Sequence, residues 1–74
     1  METTVVTSTT LSSVAYDEVK KLLELEFRSA AVYQYFDVPA SVHACLLSSA
    51  SKGAYFNEAI RGRYRFTRVP ERRG

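Results

Sequence analysis

From Leu23 to Phe27 the chain alternates strictly, Leu-Glu-Leu-Glu-Phe. A period of two belongs to a β-strand with one face in a core and the other in water. Leu23, Leu25 and Phe27 therefore need apolar partners, while Glu24 and Glu26 need solvent. The chain has 74 residues and one cysteine, Cys45, so no intramolecular disulfide can staple it. At this size folding buries only about 60% of the unfolded surface, and the domain has to be held by packing. A sheet and a helix or two fit that limit, and a deep catalytic cleft does not.

The flanking segments supply the partners. Residues 13 to 16 alternate polar and apolar, and Asp17 can fold its carboxylate back onto the backbone just after it, a turn signal. Ala31-Val32-Tyr33-Gln34-Tyr35-Phe36 is rich in β-branched and aromatic residues and reads as a third strand. Three short strands joined by short turns make an antiparallel meander. Its register is open at this point: a loop over 28 to 30 sets Leu25 opposite Tyr33 and Leu23 opposite Tyr35, and sends both tyrosines to the core. A loop of residues 29 and 30 alone turns them out beside Glu24 and Glu26.

Asp37-Val38-Pro39 ends the sheet, and Pro39 suits the first turn of a helix, where its missing N–H is not needed. Val38, Val42, Cys45, Leu46 and Ser49 recur at helical spacing, which predicts a helix over 39–48 with that stripe on the sheet. Ser51 can cap a second helix over 52–61, anchored by Phe56 and Ile60 and closed by Gly62. Beyond it, residues 63–69 alternate basic and apolar, as an extended segment over the surface would. The expected architecture is α+β: a three-stranded antiparallel meander followed by two short helices on one face. Residues 1–5 are expected as a flexible N-terminus, 6–66 as a single domain and 67–74 as a basic tail.

The net charge of +2 hides an asymmetry. Residues 1 to 37 hold three basic and six acidic groups, a net of −3; residues 38 to 74 hold seven basic and two acidic, a net of +5. A basic C-terminal half favours an anionic partner. Catalysis has no constellation to rest on. His43 and Cys45, spaced i, i+2 on a helix, point about 200° apart and cannot share a proton or a metal. Glu24 and Glu26 read as a solvated face. No apolar run approaches the roughly 18 residues of a membrane span. The start has neither the basic region nor the apolar core of a signal peptide. The reading is a cytoplasmic, non-enzymatic domain with no cofactor, no metal and no membrane partner.

Three sets of residues together resemble the KTSC domain, a module named from the C-terminal domain of some lysyl-tRNA synthetases that also occurs free-standing. Ser12-Ser13-Val14-Ala15-Tyr16-Asp17 is similar to its opening strand. Phe27 with Tyr33-Gln34-Tyr35 and Asp37-Val38-Pro39 resembles its central YxY region. Ser51-Lys52-Gly53 with Tyr55-Phe56-Asn57 and Ile60-Arg61 resembles its second-helix signature. The resemblance runs from about Val6 to Tyr64. It implies the three-residue loop, hence inward tyrosines, and a structural role for Tyr16, Tyr33, Tyr35, Phe56 and Ile60. It departs at Ala15 and Ala30, where the family has glycine, and at His43, where it has an aromatic, which favours packing over chemistry for the imidazole. The RNA binding suggested for the family rests on its attachment to a synthetase.

From the residues themselves, the best candidate surface is the second helix and the segment after it. Gly53, Asn57, Arg61 and Tyr64 fall near one face, flanked by Lys52 and Arg63, with Arg65 beyond. Glycine admits a close backbone, Asn57 donates and accepts, and arginines fork onto phosphate. A structural role stands beside this one, with Asn57 bonding backbone and Arg61 pairing with an acid such as Asp37. The expected partner is RNA or another nucleic acid; the alternative is a protein partner or a homodimer docking on the same surface.

Overall fold

The alternating segment becomes β3 (Leu22–Phe27), the central strand of a five-stranded antiparallel sheet in a computed structural model that describes residues 2–70. Its neighbours are β2 (Leu11–Asp17) and β4 (Val32–Tyr35), and the edges are β1 (Glu2–Val5) and β5 (Phe66–Val69), so the strands lie in sequence order. The three expected strands are there, but the expected count was too low by two. β1 comes from the stretch read as a flexible N-terminus; β5 comes from the surface segment and the start of the expected tail. Residues 71–74 of that tail lie outside the described residues. Both added strands are edges: Val5 is 85% and Phe66 55% exposed, so neither needed the apolar alternation that announces a half-buried strand.

The β3–β4 register is the one that faces both tyrosines inward, with Leu23 opposite Tyr35 and Leu25 opposite Tyr33. It is closed by residues 28–30: the Phe27 N–H donates to the Ala31 carbonyl at 2.8 Å and the Ala30 N–H to the Phe27 carbonyl at 2.9 Å. Ala30 sits at φ 76°, the left-handed position where glycine is favoured. At the β2–β3 turn, Asp17 Oδ1 accepts from the N–H groups of Val19 and Lys20, both at 3.1 Å.

Between β4 and β5 the chain crosses one face of the sheet as two helices. α1 (Ala40–Ser48) starts after Pro39, whose φ of −66° and ψ of 152° are extended, so the proline stands just outside the helix. α1 buries Leu46 but leaves Cys45 exposed, contrary to the expected stripe. Tyr16 locks this end of the core: its hydroxyl donates to the Val38 carbonyl, and its ring stacks on His43 at 4.7 Å. His43 is thus a packing ring.

α2 (Lys52–Tyr55) is capped as predicted, Ser51 Oγ accepting from the Ala54 N–H at 3.3 Å. It then widens into a π-helical turn, Phe56–Ile60, closed by the Arg61 N–H donating to the Phe56 carbonyl at 2.9 Å. Phe56 and Ile60, at the two ends of this turn, both enter the core. Gly62, at φ 76°, turns the chain out toward β5. The core lies between these helices and the inner face of the sheet, where Leu11, Leu23, Leu25, Leu46, Ile60, Val14 and Val38 are fully buried.

Candidate functional site

Strand pairing puts Tyr33 and Tyr35 of β4, Phe27 of β3 and Phe66 and Arg68 of β5 on the inner face of the sheet. The helices cover only part of that face. Where the second one ends at Gly62, an open groove of about 670 Å³ remains between the strands and the π-helical turn. Its floor is a herringbone of rings: Phe27 meets Tyr33 edge-on at 5.7 Å and Phe56 at 5.3 Å, and Tyr35 meets Phe56 at 5.8 Å. Phe66 forms the outer wall, 5.7 Å from Tyr33 and 5.5 Å from Tyr35. Such edge and tilted contacts suit the ring quadrupoles, and they hold the rings of the floor against one another.

The polar rim comes from the second helix. Asn57 and Arg61 both line the groove, and the Arg61 Nη1 donates to Asn57 Oδ1 at 3.5 Å. On the far strand the Arg68 guanidinium lies 6.0 Å from the centre of the Tyr33 ring, a cation–π contact. No acidic side chain is among the described residues that line the groove. Glu24 and Glu26 occupy the opposite face, Glu24 accepting from Gln34 Nε2 at 2.9 Å and Glu26 from the Ser13 hydroxyl at 3.3 Å. The Tyr35 hydroxyl is pushed up from its ordinary pKa, first by burial and then by Tyr33, against the opposing charge of Arg61.

The expected site residues divide. Asn57 and Arg61 come together at the groove. Arg61 makes no ion pair with Asp37 among the described residues, and its partner is the asparagine. Gly53 is not open to a partner: a Cβ built there would stand 2.4 Å from the Thr10 hydroxyl oxygen, so the glycine admits the protein's own β1–β2 loop. Lys52 Nζ donates to the Ser49 carbonyl at 3.1 Å, and Arg63 Nε to the Glu58 carbonyl at 2.9 Å. Tyr64 packs half-buried against the core. Arg65 lies over Phe36 at 5.6 Å, on the side of β5 away from the groove. Tyr16, Tyr35, Phe56 and Ile60 are buried, and the half-buried Tyr33 is both structural and part of the floor.

Arg68 and Phe27 were missed. The signal for Arg68 was the alternation Phe66-Thr67-Arg68, which puts it on the face of Phe66, but only the pairing of β5 with β4 says which face that is. Among the described residues no helix is long and apolar enough to cross a membrane. None of their His, Cys, Asp and Glu side chains form a group of three able to hold a metal ion.

Residues 7–72 match the family described as the KTSC domain. An uncharacterised protein of Stutzerimonas stutzeri is 40% identical over 63 residues, which cover 84% of this chain and 89% of the relative. A lysine–tRNA ligase of Nostoc punctiforme is 37% identical over 59 residues, 80% of this chain but 10% of the ligase. The chain thus spans about a tenth of the length of the ligases it matches. The crystal structure of a KTSC domain protein from Yersinia pestis superposes with a TM-score of 0.89 at 32% identity, covering 92% of this chain and 96% of that one.

Proposed function

The chain belongs to the KTSC domain family, and we propose that it binds single-stranded RNA in the aromatic groove, as a non-enzymatic module. The observation that carries this reading is an open groove whose exposed Phe66 and half-buried Phe27 and Tyr33 have an arginine on each side and no carboxylate in the lining. Single strands are held by bases stacking on rings and by phosphates meeting cations, and both supports are in place. Tyr33 and Tyr35 face away from Glu24 and Glu26, so the acidic pair does not repel a strand laid along the groove. Occurrence of a matching segment in a lysine–tRNA ligase adds a relative that handles RNA.

The test compares two double variants in fluorescence anisotropy with a single-stranded RNA over a salt series. Arg61→Ala with Arg68→Ala removes the groove cations and should lower the salt slope by roughly 1.4, about 0.7 per lost phosphate contact. Arg63→Ala with Arg65→Ala, equal in charge change but away from the groove, should leave it nearly unchanged. Equal effects of the two pairs, or no salt-dependent binding by the native chain, would refute the proposal. A second reading draws on the exposed Phe66 and the open edge of β5: a protein or a second copy docks there instead. Concentration-dependent mass in light scattering, abolished by Phe66→Ala, would favour it.

A further inference from the structure

The groove has one end poor in cations. Thr10, Phe27, Ser29 and Ala31 line it there, around the 28–30 loop, and none of them is basic. Arg28 stands in that loop but spends its Nε on the Ser8 carbonyl at 2.8 Å. β5 runs toward this same end: it enters the sheet with Phe66 opposite Tyr35, passes Tyr33 with Arg68 and leaves with Val69 opposite Val32, next in sequence to Ala31. After Pro70 the sequence continues Glu71-Arg72-Arg73-Gly74. An extended backbone spans at most about 3.5 Å per residue, so Arg72 and Arg73 cannot lie further than about 10 and 14 Å from Val69.

We infer that Arg72 and Arg73 extend the cation rim past the loop end of the groove and meet the phosphates of a strand that continues beyond Tyr33. This rests on the proposed single-strand binding and goes beyond it to a second contact segment. The register of β5 on β4 delivers the two arginines to the end of the groove whose lining has no cation. So short a tether holds them there at high effective concentration. Glu71 cancels one of the two charges, which leaves the segment a net of +1; its contribution therefore depends on guanidinium contacts with phosphate more than on its summed charge. Arg63 and Arg65 cannot stand in for the pair, because Arg63 is bonded to the Glu58 carbonyl and Arg65 lies on the side of β5 away from the groove. Exposed charges more than about 8 Å from the strand are largely screened at physiological salt.

The experiment is the anisotropy salt series on an oligouridine longer than the groove, with Arg72→Ala and Arg73→Ala made together in the full chain. This variant should lower the salt slope by roughly 1.4, about 0.7 per lost phosphate contact, while Arg63→Ala with Arg65→Ala leaves it nearly unchanged. Combined with Arg61→Ala and Arg68→Ala, the loss should reach roughly 2.8, as independent contacts add. The urea midpoint should match the native one, since Arg72 and Arg73 follow the last strand. An unchanged slope, or a lowered midpoint, would overturn this inference, and the single-strand reading would stand if the Arg61 and Arg68 pair still lowers the slope. Equal losses from the Arg63 and Arg65 pair, or no salt-dependent binding by the native chain, would overturn both.

Discussion

Gly53 offers the sharpest test of whether its neighbourhood is used for packing or for a partner. In Gly53→Ala the new Cβ stands 2.4 Å from Thr10 Oγ1 and 3.1 Å from Thr10 Cβ. Rotating Thr10 about χ1 relieves the first contact but not the second, because the Cβ is tied to a pinned backbone. The Thr10 N–H donates to Ser8 Oγ at 3.0 Å, and its carbonyl accepts from the Arg28 N–H at 3.0 Å. Overpacking of this kind costs about 1–3 kcal/mol. Alanine in a helix returns about 0.5–1 kcal/mol relative to glycine, so the net is a loss of about 1 kcal/mol.

In a Thr10→Gly background both close atoms, the hydroxyl oxygen and the Cβ, are gone, and Gly53→Ala should be neutral or stabilising by up to about 0.5 kcal/mol. The double-mutant cycle then shows a coupling of about 1–2 kcal/mol, large for residues 43 positions apart in sequence and expected only of direct contact. Urea unfolding followed by circular dichroism reads it: with a slope near 1 kcal/mol per molar for so small a domain, the midpoint moves by roughly 1 M. If Gly53→Ala costs the same in both backgrounds, the contact does not explain the glycine. If stability is unchanged and RNA affinity falls, Gly53 belongs to a binding face after all.

Ala30→Gly should stabilise the domain by about 0.5–1 kcal/mol, since relief of a left-handed alanine outweighs the added freedom of the unfolded chain; a melting point unchanged or lowered would contradict the hairpin geometry. Ser51→Ala removes the cap on the Ala54 N–H and should cost about 1 kcal/mol in urea unfolding. The hydroxyls of Tyr16 and Tyr35 are both raised above the ordinary tyrosine value of 10.0, chiefly by burial. The unfolded chain therefore ionises first, so stability is complete below pH 10 and falls as pH rises through the folded pKa values. Urea midpoints across that range should fall less in Tyr35→Phe than in the native chain.

What was legible in the sequence was local. Asp17 turns the chain with its own carboxylate, Ser51 caps with its own hydroxyl and Gly62 stops the helix at a positive φ, and each needs only residues a few positions away. The register of β3 on β4 was legible once the loop was taken as residues 28–30, because side-chain alternation then leaves no freedom. The joining of β5 to β4 was not legible, since about thirty residues of helix and loop separate them. The π-helical turn was also hidden: Phe56 and Ile60 are four apart, which fits an ordinary helix as well, and the widening shows only in the bond from Arg61 to Phe56. With β5 unplaced, Arg68 read as tail, and the candidate site was drawn along a helix face instead of across a groove.

The asymmetry of the sequence halves becomes an asymmetry of the two sheet faces by a simple route. Alternation along β3 sends Glu24 and Glu26 outward, and the same alternation along β5 sends Arg68 inward beside Tyr33. The second helix delivers Arg61 to the inner face and then stops at Gly62, where an added Cβ would meet nothing within 4 Å. A helix carried one turn further would cover Phe66 and Tyr33 and bury their rings, stabilising the domain by roughly 25 cal/mol for each Å² of apolar surface removed from water. In a chain held only by packing, leaving that surface bare forgoes stability. The early stop therefore calls for another explanation, and an aromatic, anionic ligand that covers the rings and answers the charges supplies one.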